Sequence, residues 1–128
     1  MGRIPGEFPA GERDLSGHIF DETGAFRVAQ RTFQDIAATG DTQLVPAQGA
    51  GKKIRVIGLY ERAGAAVSVR LKSAGNNLSA SFALGINDDL IFPYCQHGWF
   101  ETGPNEALNQ NQNLAVATGV QVLWIVVE

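Results

Sequence analysis

From residue 53 onward the chain alternates apolar and polar positions in short runs, and Gly, Asn, Asp or Pro closes each run. Val67, Val69 and Leu71 alternate with Ser68, Arg70 and Lys72, the period of a strand with one buried and one wet face. Leu78, Ala80, Phe82 and Leu84 form a second such stripe after Gly75-Asn76-Asn77, residues that tolerate the positive φ of a turn. Lys53 to Arg62 is apolar on both faces, with Ile54, Val56 and Tyr60 expected on one and Ile57 and Leu59 on the other. Val120 to Val127 is two-sided as well, with Val122, Trp124 and Val126 against Leu123, Ile125 and Val127. Strands of that kind lie centrally, covered on both sides.

Shorter pieces fill the gaps. Leu90-Ile91-Phe92 stops at Pro93, and Gly98 to Thr102 and Glu106 to Asn113 flank Gly103-Pro104-Asn105. Phe26, Val28 and Gln30 alternate like a strand, whereas Ile36-Ala37-Ala38 would tolerate a helix. The turn residues Gly40-Asp41 and the extended Thr42 to Val45 favour the strand. Eight to ten short strands without a strong helix define the expected fold class: all-β, an antiparallel β-sandwich, jelly-roll-like.

Residues 1–24 differ. They are rich in Gly, Pro and charge, and Pro5 and Pro9 push their neighbours toward extended backbone. The stretch fits a tail or an extended arm that orders on a neighbour. Its spaced apolar residues, Ile4, Phe8, Leu15, Ile19 and Phe20, supply an arm with anchors. The expected organisation is an arm over 1–24 and one β-sandwich domain over 25–128, a division the 128-residue length allows.

Charge sharpens this division. The net charge is -3, and residues 1–24 carry all of it, with two arginines against five carboxylates. The body is neutral and has no basic stripe to follow phosphates, so nucleic acid is not an expected partner. Charged residues make up 18% of the chain, below the roughly 25% usual for globular domains, which suits a surface partly covered by partners. Cys95 is the single cysteine, so no internal disulfide forms. No apolar run approaches the roughly 20 residues of a membrane span, and the N-terminus lacks a signal-peptide layout. The expected site of synthesis is the cytoplasm.

Candidate chemistry is thin. Gly49 to Lys53 fails as a phosphate loop, because Pro46 replaces its first glycine and Lys53 its Ser or Thr. Cys95 and His97 are ligand types, but a metal needs a third and fourth, and His18 lies far off. No Gly-x-Ser-x-Gly elbow accompanies them. Glu101 and Glu106 could pair as glycosidase carboxylates, although glutamates beside Pro104-Asn105 are more often a solvated loop. The expectation is no catalytic residue, no metal and no cofactor. Tyr94, Trp99 and Phe100 could meet a sugar or a partner. Trp99 and Phe100 face opposite ways on a strand, so one is core and the other interface. Asn109 to Asn113 form an uncharged amide run that can bond across an interface without burying charge. Trp99, Tyr94, Asn109 and Asn111 are therefore the candidate interface residues.

The pieces Gly51 to Leu59, Val67 to Ser73, Leu90 to Tyr94, Gly98 to Thr102, Glu106 to Asn109 and Gly119 to Val127 together resemble the decoration (cement) proteins and small head proteins of tailed-bacteriophage virions. The resemblance covers about residues 45–128. It implies a homotrimeric jelly roll on the capsid exterior, bound to major capsid protein and stabilising the lattice, with no active site. In that setting the arm residues Ile4, Phe8, Leu15 and Phe20 would anchor on a neighbour or on the shell. The alternative is a receptor- or carbohydrate-binding module of a phage tail or fibre, reading its ligand through Trp99 or Tyr94. A small cupin-like enzyme is the third reading, and it requires a metal.

Overall fold

The computed structural model describes residues 18–20 and 23–128. The arm anchors Ile4, Phe8 and Leu15 lie outside them, and of Phe20 only the backbone is described. The described residues form strands and no helix. The strands are β1 (His18–Phe20), β2 (Phe26–Val28), β3 (Gln30–Ile36), β4 (Gly40–Val45), β5 (Lys53–Ala63) and β6 (Val67–Ser73). They continue with β7 (Asn76–Asn77), β8 (Phe82–Leu84), β9 (Asp89–Phe92), β10 (Phe100–Glu101), β11 (Leu108–Gln112) and β12 (Thr118–Val127).

β1 and β2 pair as a hairpin that turns at Thr23-Gly24, where Gly24 takes φ +81°. The other ten strands divide into two antiparallel sheets. The first, here the front sheet, runs β3-β12-β5, with β9 and β10 sharing the far edge of β5. The second, the back sheet, runs β4-β11-β6, with β7 and β8 sharing the far edge of β6. Taking β7 with β8 and β9 with β10, four strand positions fill each sheet, and the chain crosses between sheets at nearly every connection. That order is the double wrap of a jelly roll, so the expected fold class is the observed one.

The core lies between the sheets. β12 supplies Val120, Val122 and Trp124, β5 supplies Ile54, Val56 and Leu59, and the back sheet supplies Leu44, Leu71 and Leu108. Trp124 donates its indole N–H to Thr32 Oγ1 at 3.0 Å, which satisfies the one polar atom it brings inside. Burial of each large aliphatic side chain contributes about 1.5–3 kcal/mol.

β5 departs from simple alternation. Its register against β12 slips by one residue, Leu123 opposite Gly58 but Trp124 opposite Val56, so Ile57 is the extra residue of a bulge. Beyond it the faces exchange. Leu59, Glu61 and Ala63 point inward, Tyr60 turns to solvent and Ile57 joins the outer face, the reverse of the expected placement of Leu59 and Tyr60. The bulge also shapes the neighbouring edge. Between β9 and β10 the loop 93–99 bonds to it, Cys95 N to Ile57 O and Trp99 N to Val56 O, each at 2.8 Å. Gly98 is required there. It has φ +78°, and a Cβ would lie 2.5 Å from Arg55 Cγ.

Candidate docking face

The outer face of the front sheet has two halves. In one, Ile57, Ile125 and Val127 are buried although they point away from the main core. Ala29, in the link from β2 to β3, packs against them, and Arg27 of β2 reaches Glu128 at 3.5 Å. The other half is bare. Phe33 on β3, Gln121 on β12, Tyr60 on β5 and Ile91 on β9 stand in register as one row across four strands. Phe33 is 60% exposed, Ile91 58% and Tyr60 39%, values that set this row apart from the buried half of the same face.

Glycines flank the row and leave it as a ridge. Gly119 floors a trough of about 260 Å³ walled by Phe33, Tyr60, Arg62 and Gln121. Gly58 floors a second of about 410 Å³ walled by Arg31, Tyr60, Ile91 and Leu123. Each has room for side chains of a partner. Scattered exposed apolar residues are ordinary on a protein surface, but these three share one row between two open troughs, Tyr60 beside Ile91 and Phe33 across Gln121.

The rim is charged and ordered. Arg62 clamps Asp89 with two N–H groups, at 2.7 and 3.2 Å, and Tyr60 donates its hydroxyl to the same carboxylate at 3.1 Å. The Arg62 bond, more than any other contact, holds the Asp89 carboxyl below the usual carboxylate range. The clamp is solvent-exposed, so it steers the Tyr60 ring more than it stabilises the fold. On the other flank the Arg31 guanidinium lies 5.7 Å from the centre of the Phe33 ring. Arg31 and Asp35 have no ion-pair partner among the described residues.

The outer face of the back sheet is polar throughout its centre. Asp41, Asn111 and Arg70 form one row, and Gln43, Asn109, Lys72 and Asn77 the next. Asn111 donates to Asp41 at 2.7 Å, Lys72 lies 3.3 Å from the same carboxylate, and Asn109 donates to the Ala74 carbonyl at 3.1 Å. The amides of Asn109 and Asn111 are thus already engaged within the sheet. Their neighbours Gln110 and Gln112 point inward and are buried.

Tyr94 and Trp99 sit elsewhere again, in and beside the loop along the β9–β10 edge. They are 42% and 43% exposed. The Trp99 indole donates to the Pro93 carbonyl at 2.7 Å, and its ring centre is 5.2 Å from that of Phe92. Phe100 packs against the core, so of the adjacent pair Trp99 is the exposed member. The structure therefore does not gather the four candidate interface residues. Two line a sheet edge and two lie on the opposite sheet.

The remaining candidates are separately engaged. Glu101 pairs with Arg55 at 2.9 Å, and Glu106 accepts from Ser73 at 2.5 Å. His97 is exposed with its ring 3.1 Å from the Gln96 amide. Among the described residues, no three His, Cys, Asp or Glu side chains are grouped to hold a metal. No helix of the described residues is long and apolar enough to cross a membrane. The row of Phe33, Tyr60 and Ile91 is not visible in the sequence pattern. Phe33 and Ile91 each carry an alternation signal, but their alignment comes from strand register. Comparison with known proteins returns no matching family model and no matching curated sequence.

Proposed function

We propose that this chain is a structural virion protein that docks on the outer surface of a bacteriophage capsid as a homotrimer and stabilises the lattice between major capsid proteins. The observation that carries the docking part is the bare ridge of Phe33, Tyr60 and Ile91 between two glycine-floored troughs. A partner would gain apolar burial along the ridge and seat side chains in the troughs, with Arg31 and Asp35 at the rim to set orientation. The sequence resemblance supplies the capsid as that partner, and repetition over a lattice lets each contact be modest. The test is mass spectrometry of density-purified phage particles from a culture carrying this gene. The chain should be present in many copies per particle. Its absence from purified particles would overturn the reading. Sedimentation of the isolated chain at micromolar concentration checks the trimer.

A second reading, a carbohydrate- or receptor-binding module of a tail or fibre, draws on the exposed rings of Tyr94 and Trp99. Glycan-array binding that is lost on Trp99→Ala would favour it over the capsid reading.

A further inference from the structure

We propose that Glu61 holds a buried proton, which its Oε2 donates to Oε1 of Gln110, and that this acid–amide pair is a pH-sensitive latch between the two sheets. Glu61 projects inward from β5 in the front sheet, and Gln110 and Gln112 project inward from β11 in the back sheet. Glu61 and Gln110 are 0% exposed and Gln112 1%. The Gln110 amide donates to Glu61 Oε1 at 2.7 Å and to Gln112 Oε1 at 3.3 Å, so both of its N–H groups are used. Gln112 in turn donates to the Val116 carbonyl at 3.0 Å, which carries the chain of bonds into the β11–β12 loop.

Two atoms of this network have no partner among the described residues, Glu61 Oε2 and Gln110 Oε1. Both are acceptors when Glu61 is ionised. An amide that donates to one oxygen of a carboxyl can receive a proton from the other, and a single proton then satisfies both orphans. An ionised Glu61 would instead be a buried charge without a counter-ion. Its strand neighbours are Val120 on β12 and Leu90 on β9, and the β11 side chains that face it are Gln110 and Gln112, none of them charged. Arg62 and Asp89 lie on the opposite face of the front sheet. Asp41, Arg70 and Lys72 lie on the outer face of the back sheet, and Glu106 is held by Ser73.

Burial pushes the Glu61 carboxyl from its ordinary 4.5 up to about 7, and the bond from Gln110 offsets part of this. A raised folded-state value fixes the sign. The latch is closed below the unfolded carboxyl range and is lost as pH rises through about 7. Over the interval of about 2.5 pH units, the unfolding equilibrium constant should rise by up to about 300-fold.

The experiment is side-chain NMR on the intact wild-type chain. The Glu61 carboxyl carbon, assigned through its own backbone, should titrate near pH 7, and the Gln110 side-chain amide signals should move with the same midpoint. The β11–β12 loop should lose protection above that midpoint, its amide exchange rising more than the base-catalysed increase seen at amides elsewhere in the two sheets. A Glu61 titration in the ordinary carboxylate range overturns the buried proton, and Gln110 signals that ignore the midpoint overturn the pair. The Glu61→Gln variant adds a check from melting curves. Its stability should be flat from pH 5 to 8.5 while the wild type declines, and parallel profiles would contradict the latch.

Discussion

The two outer faces of this sandwich are built from the same strand geometry and treat water in opposite ways. Along the centre of the back sheet the outward side chains are Asn, Asp, Gln, Lys and Arg; Asn111 and Lys72 both bond to Asp41, and Asn109 bonds to the Ala74 carbonyl. On the front sheet the outward apolar side chains are buried under the β2–β3 link in one half, and in the other Phe33, Tyr60 and Ile91 stand open among Gln121, Arg31, Asp35, Arg62 and Asp89. A polar face whose Asp41, Asn109, Asn111 and Lys72 are already engaged within the sheet has less to gain from a partner. An apolar face half covered by its own chain retains the drive to cover the rest. On the proposed function, this contrast sets the front sheet toward the partner and the back sheet toward solvent.

The largest effect is expected inside the covered half. Ile125→Ala should cost about 3 kcal/mol, as a large-to-small change in a packed site. Thermal or urea unfolding reads this directly, and a loss below about 0.5 kcal/mol would mean that the covered half is not core. The bare half should behave in reverse. The double variant Phe33→Ser with Ile91→Ser should leave stability within about 1 kcal/mol and weaken particle binding by about 30-fold or more, the scale of an interface hot spot. Co-sedimentation with particles lacking the protein measures this.

The smallest effect belongs to the back sheet. Asp41→Asn should change stability by less than about 1 kcal/mol, the range of an exposed pair, and should not touch binding. The Asn111 amide, and then Lys72, hold the Asp41 carboxyl below its usual range. Its contribution is therefore present above the ordinary carboxylate range and is lost as pH falls through the lowered value, so melts of variant and wild type should converge on acidification. A large loss of particle binding on Asp41→Asn would reverse the assignment of faces.

How much of this was legible in the sequence depends on the element. The alternation Val67 to Lys72 reads directly as β6, and the two-sided run Val120 to Val127 reads as the central β12. The bulge at Ile57 carries no mark of its own, since one extra residue in an apolar strand looks like any other. That residue decides which way Tyr60 faces, so the ridge was out of reach. Gln110 and Gln112 were hidden for another reason. Pattern places amides outside, and only the bonds of Gln110 to Glu61 and of Gln112 to Gln110 and the Val116 carbonyl make them tolerable inside. Pro93 and Gly98 break one strand position into β9 and β10, which the pattern read as two separate pieces rather than one edge.

The bare half of the front sheet is the proposed docking face. A cryo-EM reconstruction of the assembled particle, at a resolution that places side chains, tests it most directly. Docking through the ridge predicts Phe33, Tyr60 and Ile91 buried against the shell, with Asn109 and Asn111 facing solvent. A reconstruction that sets the polar back sheet against the shell, and leaves the ridge in water, would contradict it.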